Sequence, residues 1–206
     1  MRRFLFQPDY DRALLGDILA RTILCRTLGL ENEMLSFGCN SHGKPHLDLA
    51  EGIQYNISHS GNWIACGIGP GRIGVDVEKT NPANLEIAGQ FFAPTEVRLL
   101  NRALETEKER MFHEIWTLKE SFIKARGLGL SIPLAEFEIV FGPKGIRALS
   151  DGQDTGLYFR LYKGWDPEYA FAVCGDHPPP WTATRWTCES LVRAFALCSS
   201  YRPEFK

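Results

Sequence analysis

The sequence has no CxxC pair. Its six cysteines, Cys25, Cys39, Cys66, Cys174, Cys188 and Cys198, stand singly, so a structural zinc site is poorly supported. Cys66 and Cys174 sit inside apolar, strand-like runs and read as buried free thiols. There is no run of about 18 apolar residues to span a bilayer, so no membrane association is expected. The short apolar stretch after Arg2-Arg3 breaks at Gln-Pro-Asp, unlike a secretion signal. A reducing, cytoplasmic setting is therefore the expectation. An excess of one charge is also missing: 23 Lys and Arg face 25 Asp and Glu. That balance excludes a general affinity for nucleic acid and leaves room for a local basic site. No repeat occurs at a solenoid period. With 44% hydrophobic and 23% charged residues, the chain is not of disordered composition. Its 206 residues suit one sizeable domain or two small lobes sharing a core.

Periodicity predicts a helix from Tyr10 to Leu28. Leu14, Ile18, Arg21 and Cys25 form one face, widened by Leu15 and Ala20. Asp9 is placed to cap it and Gly29 to end it. Ser41-His42-Gly43-Lys44-Pro45 reads as a tight turn. Gly52–Ser58, Trp63–Ile68 and Ile73–Glu78 read as three strands of an antiparallel meander. Pro94 suits the first position of a helix reaching about Ala103, and Glu105–Arg110 either bends the chain or begins the next helix. In that helix Phe112, Ile115, Trp116, Lys119, Phe122 and Ile123 share one side, and Gly127 stops it. Phe137–Phe141, Leu157–Tyr162 and Ala170–Cys174 look like strands, and Leu191, Phe195 and Cys198 a short terminal helix. The order hints at two α+β halves.

Three groups of residues have chemical potential. In a strand, Gly74-Val75-Asp76-Val77-Glu78 turns the valines to the core and both acids to the other face. Two such carboxylates repel unless a cation lies between them, and oxygen donors without nearby His or Cys favour Mg2+. Taken alone, two solvated surface acids explain the pair better. Trp116, Glu120 and Lys124 lie at i, i+4 and i+8 on one helix side; alone, Glu120 and Lys124 read as a surface ion pair worth about 0.2–0.5 kcal/mol. Tyr55-Asn56-Ile57-Ser58-His59-Ser60-Gly61 offers hydroxyls and an imidazole to an anion, or is simply a polar turn. Arg12 and Lys44 are ordinary surface cations on the same footing. Together, three acids, cations and a Ser-His turn suit phosphoryl-group chemistry, which depends on metal neutralisation and positioning.

The ordered set of motifs resembles the Sfp-type 4′-phosphopantetheinyl transferases. The matching stretches are RRFLFQPDYDRALLGDILAR (2–21), HGKPHL (42–47), YNISHSGNW (55–63), IGVDVEKT (73–80), FFAPTE (91–96) and FHEIWTLKESFIKARGLGLSIPL (112–134). The likeness fades after about Cys174. It implies an α+β fold of two similar halves packed face to face, with coenzyme A between them, here divided as residues 1–79 and 80–206. It implies Asp76, Glu78 and Glu120 as Mg2+ ligands, and Lys124 on the coenzyme's phosphates. Arg12, Lys44, Pro45, Ser58 and His59 match positions that hold the nucleotide and its phosphates. Family members carry a leading segment before the Arg2-Arg3 equivalent, with a first strand and basic residues. The chain starting at Met1 is thus expected either to be truncated or to show a raised KM for coenzyme A.

The reaction implied is attack of a carrier-protein serine on the β-phosphorus of coenzyme A. Adenosine 3′,5′-bisphosphate leaves, its oxygens stabilised by Lys124 or His59. Glu120, Glu96 or a water takes the proton, so the catalytic group is Asp76, Glu120 and Lys124. The expected partner is an apo acyl- or peptidyl-carrier domain, small, acidic and helical, docking near Leu128 and Leu130, with the enzyme a monomer. The choice among fatty-acid, polyketide and peptide-synthetase carriers stays open. A metal-dependent nuclease would release nucleotides from DNA, but such sites place the second acid and lysine two apart on a strand, not four apart on a helix. A carrier-binding module without activity would bind carrier and transfer nothing.

Overall fold

The computed structural model describes residues 7–48, 52–82 and 85–199. The expectation built on Arg2-Arg3 and a leading segment falls outside these residues, and so does the side chain of Leu130. The chain opens with α1 (Gln7–Leu28) and two short strands, β1 (Phe37–Cys39) and β2 (Pro45–Leu47). Strands β3 (Ile53–Ser60), β4 (Trp63–Pro70) and β5 (Ile73–Lys79) follow, then helices α2 (Ala88–Phe91), α3 (Pro94–Arg102) and α4 (Glu105–Arg126). The remainder is β6 (Phe137–Gly142), β7 (Gly145–Ser150), β8 (Gln153–Asp154), β9 (Tyr158–Leu161), β10 (Tyr169–Gly175) and α5 (Cys188–Ala196). The α+β class read from the sequence holds. Among the described residues, no helix is long and apolar enough to cross a membrane.

One motif occurs twice: a 22-residue helix laid on antiparallel strands. In the first, α1 packs on the β3–β4 hairpin, and Ala20, Leu24 and Cys25 join Leu47 and Tyr55 in one core. The buried face keeps Ala20 and Cys25 of the expected one but not Leu14. Leu14 is 46% exposed, and the contact line is Gly16, Ala20 and Leu24, spaced four apart. Small residues let the helix approach the hairpin: a Cβ on Gly16 would meet methyl groups of Ile57 and Ile64 at 3.3 and 3.7 Å. Both motifs thus bury an apolar helix stripe against a sheet face.

In the second motif, α4 lies on β5 and β10. Leu118, Phe122, Ile123 and Ala125 of α4 pack with Phe137, Phe159, Ala172 and Cys174. The charged stretch 105–110 begins α4, and Gly127 ends it in the left-handed conformation (φ 67°), as its lack of a Cβ allows. Pro94 opens α3, where its missing N–H costs nothing.

The expected three-stranded meander does not form. β3 and β4 make a hairpin, but β5 pairs along its full length with β10, with Asp76 opposite Ala172 and Glu78 opposite Ala170. The order in this sheet is β5-β10-β9. The physical reason lies on β5's other edge, where side chains of β3, not its backbone, take the amides. A strand 90 residues away supplies the ladder, which no local pattern announces.

Candidate active site

The site starts from Gly74. A Cβ there would stand 2.0 Å from the Ser121 carbonyl oxygen and 2.3 Å from the Ala125 nitrogen of α4. Only glycine lets the helix backbone lie on the strand. That contact brings Glu120 and Lys124 of α4 over Asp76 and Glu78 of β5. Alternation does the rest: Val75 and Val77 are buried on the opposite face, and both acids turn toward α4.

Asp76 is 1% exposed. Its Oδ1 accepts from Lys124 Nζ at 2.6 Å and from Ser58 Oγ at 2.9 Å. Its Oδ2 is buried without any hydrogen-bond partner. Lys124 Nζ also donates to Ser58 Oγ at 2.9 Å. Glu78 Oε2 accepts from Ser60 Oγ at 3.0 Å. Lys124 therefore pairs with the strand acid, not with Glu120 as a surface helix pair would have it.

The electrostatics match this crowding. Burial raises the Asp76 carboxyl above its ordinary range, and the Lys124 ammonium opposes the rise without cancelling it. Burial, followed by the negative charge of Asp76, pushes Glu78 up to about 7. Burial, then the Asp76 charge, also raises Glu120. Three carboxyls held near one another, with one lysine among them, leave the site short of positive charge.

Mg2+ suits this donor set. The ligands are hard oxygens, and the Asp76 Oδ2 lacks any other partner. Among the described residues, no three His, Cys, Asp or Glu side chains form a ready-made metal cage. Mg2+ fills part of its shell with waters and substrate phosphates, so the three acids need not form a closed cage before it binds.

The other expected residues fall in different places. Ser58 joins the acid site, but its hydroxyl is fully engaged: it accepts from Lys124 and from Val77 N–H and donates to Asp76. His59 is exposed and, one residue on, points to the opposite face of β3. Arg12 reaches the β3–β4 turn, donating to the Gly61 carbonyl at 3.4 Å while paired with Asp9 at 2.5 Å.

Lys44 sits at the far end of α4, and Pro45 next to it begins β2. The Asn40 side chain accepts from the amides of His42 and Lys44, both at 2.9 Å, which fixes the turn. Lys44 Nζ donates to Ala125 O, Ile73 O and Gln54 Oε1 at 3.1, 3.0 and 3.1 Å. It thereby ties the last turn of α4 to β5 and β3, a favourable place for a cation. Burial lowers its pKa to about 8.

Glu96 is not available as a base. It is 1% exposed, and its two oxygens accept from Lys119 Nζ (2.8 Å), Ala93 N (2.7 Å) and Ile139 N (2.6 Å). Lys119, on the apolar side of α4, is fully buried and also donates to Leu134 O and Phe137 O at 2.9 and 2.6 Å. The pair fastens α3 and β6 to the helix that bears Glu120. A large cavity of about 990 Å³ lies elsewhere, between α1, β4 and residues 177–188. It borders Val77 but none of the acids or Lys124, and its lining is largely apolar.

Residues 72–174, which hold Asp76, Glu78, Glu120 and Lys124, match the model of the 4′-phosphopantetheinyl transferase superfamily. The chain belongs to that superfamily. Residues 1–68 match the model of the N-terminal part of a 4′-phosphopantetheinyl transferase. A 4′-phosphopantetheinyl transferase of Bacillus subtilis is 40% identical over 86% of this chain and 79% of its own length. The 4′-phosphopantetheinyl transferase Sfp of Bacillus subtilis (strain 168) is 38% identical over the same shares. The holo-[acyl-carrier-protein] synthase of Thermotoga maritima overlays 50% of this chain and 61% of its own at a TM-score of 0.42 and 20% identity, a likeness too loose to bear weight.

Proposed function

We propose that this transferase moves the 4′-phosphopantetheine arm of coenzyme A to a serine of an apo acyl- or peptidyl-carrier domain, with Asp76, Glu78 and Glu120 as the residues that hold Mg2+. Family membership supports the reaction class. The observation that supports the metal reading is Asp76, a buried carboxyl with one oxygen saturated by Lys124 and Ser58 and the other without a partner. When bound there, Mg2+ would neutralise charge on the coenzyme's pyrophosphate.

The chain's own groups do the rest. Lys124 Nζ, already at the centre of the acids, donates to phosphate oxygens of the leaving adenosine 3′,5′-bisphosphate. Glu120, on the helix above the strand acids, takes the proton of the attacking serine. The serine oxygen bonds to the β-phosphorus as the bond to the leaving bisphosphate breaks. Arg12 and His59 lie at the β3–β4 end, where the nucleotide and its phosphates would extend; Lys44, Pro45 and Ser58 act by holding the frame. The division at residues 79 and 80 then separates the strand acids from the helix that completes them. The exposed free thiols of Cys39 and Cys188 fit a reducing cytoplasm, where the enzyme acts as a monomer.

The test is intact-protein mass spectrometry on a panel of apo-carriers from fatty-acid, polyketide and peptide-synthetase systems, incubated with coenzyme A, Mg2+ and the enzyme. A mass gain of one phosphopantetheine arm on at least one carrier is expected. No gain on any carrier would overturn the reading.

A further inference from the structure

Three alternate side chains of β3 face the edge of β5. Asn56 Oδ1 accepts from Val75 N–H at 2.8 Å, Ser58 Oγ from Val77 N–H at 3.3 Å, and Ser60 Oγ from Lys79 N–H at 3.0 Å. The other edge of β5 is spent on β10. Strand β3 thus closes β5 with side-chain acceptors in place of a backbone ladder. The period of two on β3 meets the period of two on β5.

A hydroxyl that accepts from a backbone amide keeps its own proton to give. Ser58 gives it to Asp76 Oδ1 at 2.9 Å, and Ser60 gives it to Glu78 Oε2 at 3.0 Å. The amide fixes where the hydroxyl oxygen lies, so the proton has one direction left to point. Each serine therefore converts the position of a β5 amide into the orientation of the carboxylate one residue before it. Asn56 performs the closing task alone, because the residue before Val75 is Gly74 and offers no carboxylate.

We propose that Ser58 and Ser60 are positioning residues that orient Asp76 and Glu78 toward the Mg2+, and that Asn56 is their purely structural counterpart. The inference rests on the acid-site reading above. Partners that orient ligands in this way typically change metal affinity by about 10–100-fold when removed. Ser60 is the cleaner probe, since Ser58 also receives Lys124.

The experiment compares wild-type, Ser60→Ala, Ser60→Thr and Asn56→Ala. Mn2+ binding to the enzyme without substrates is followed by electron paramagnetic resonance, and transfer is titrated with Mg2+ at saturating coenzyme A and carrier. Unfolding midpoints report the structural cost of each change. Ser60→Ala is expected to weaken Mn2+ by about tenfold or more and to raise the Mg2+ requirement by a like factor. Ser60→Thr keeps the hydroxyl and restores both. Asn56→Ala lowers the unfolding midpoint and leaves Mn2+ affinity unchanged. Wild-type Mn2+ affinity in Ser60→Ala, or equal loss in Asn56→Ala, overturns the positioning role while the acid site stands. A wild-type enzyme that neither binds Mn2+ nor requires Mg2+ for transfer overturns both.

Discussion

Substituting Gly74 by alanine puts the packing of α4 to the test. The added Cβ would lie 2.0 Å from the Ser121 oxygen, 2.3 Å from the Ala125 nitrogen and 3.0 Å from the Ala125 Cα. All three are backbone atoms of one helix, so no side chain can swing aside. Helix and strand must part by more than an ångström to reach an ordinary contact. Overpacking of this kind costs about 1–3 kcal/mol, which urea denaturation resolves as a lower midpoint at an unchanged slope. The functional loss should exceed the loss of stability. Ser121 and Ala125 adjoin Glu120 and Lys124, so the retreat carries those two side chains away from Asp76 and Glu78. A misplacement near 1 Å costs about 100-fold in rate, read as single-turnover transfer to an apo-carrier. Gly89→Ala in α2 is the comparator: a Cβ there meets nothing within 4 Å. It should keep full activity and match or exceed wild-type stability by a few tenths to about 1 kcal/mol. If Gly74→Ala were as stable and as fast as Gly89→Ala, the claim that close packing of α4 on β5 assembles the site would be wrong.

Glu96→Ala leaves Lys119 buried with no counter-charge and should destabilise by about 3–5 kcal/mol in urea; a midpoint equal to wild type would show that the pair does not fasten α4. Lys44 has a folded pKa of about 8 against an ordinary 10.5. Between those values the unfolded chain binds the proton more than the folded chain does, so this group makes stability rise with pH across that window. In Lys44→Met this contribution should vanish, because a methionine does not titrate; an identical pH slope of the urea midpoints in both proteins would refute the assignment. His59→Ala should raise KM for coenzyme A and leave stability within about 0.5 kcal/mol, as for an exposed side chain; a lowered unfolding midpoint with unchanged KM would contradict its place at the nucleotide end.

The parts of this site that follow local periodicity were legible before the structure. The apolar side of α4, its stop at Gly127 and the shared face of Asp76 and Glu78 all follow from spacing. What stayed hidden depends on partners distant in sequence. Strand β5 reads from the sequence as the third strand of a meander, because short Gly-containing turns separate it from β3 and β4. The acceptors of its amides facing β3 are Asn56, Ser58 and Ser60 side chains, and a polar zipper leaves no hydrophobic pattern. Lys119 could be placed on the apolar side of its helix, but nothing near it in sequence announces Glu96. On α1, Ala20 and Cys25 of the expected face are buried, but Leu14 is not: the contact line runs through Gly16, Ala20 and Leu24, where the two small residues permit the close approach.

The proposed transfer requires a divalent cation held by Asp76, Glu78 and Glu120. The most direct measurement is single-turnover phosphopantetheine transfer to an apo-carrier at varied Mg2+, with a chelator arm, for wild-type and Glu120→Gln. The wild type should transfer in proportion to bound Mg2+ and stop in chelator, and Glu120→Gln should unfold at the wild-type midpoint and transfer nothing. Undiminished transfer in chelator, or wild-type rates from Glu120→Gln, would contradict the account.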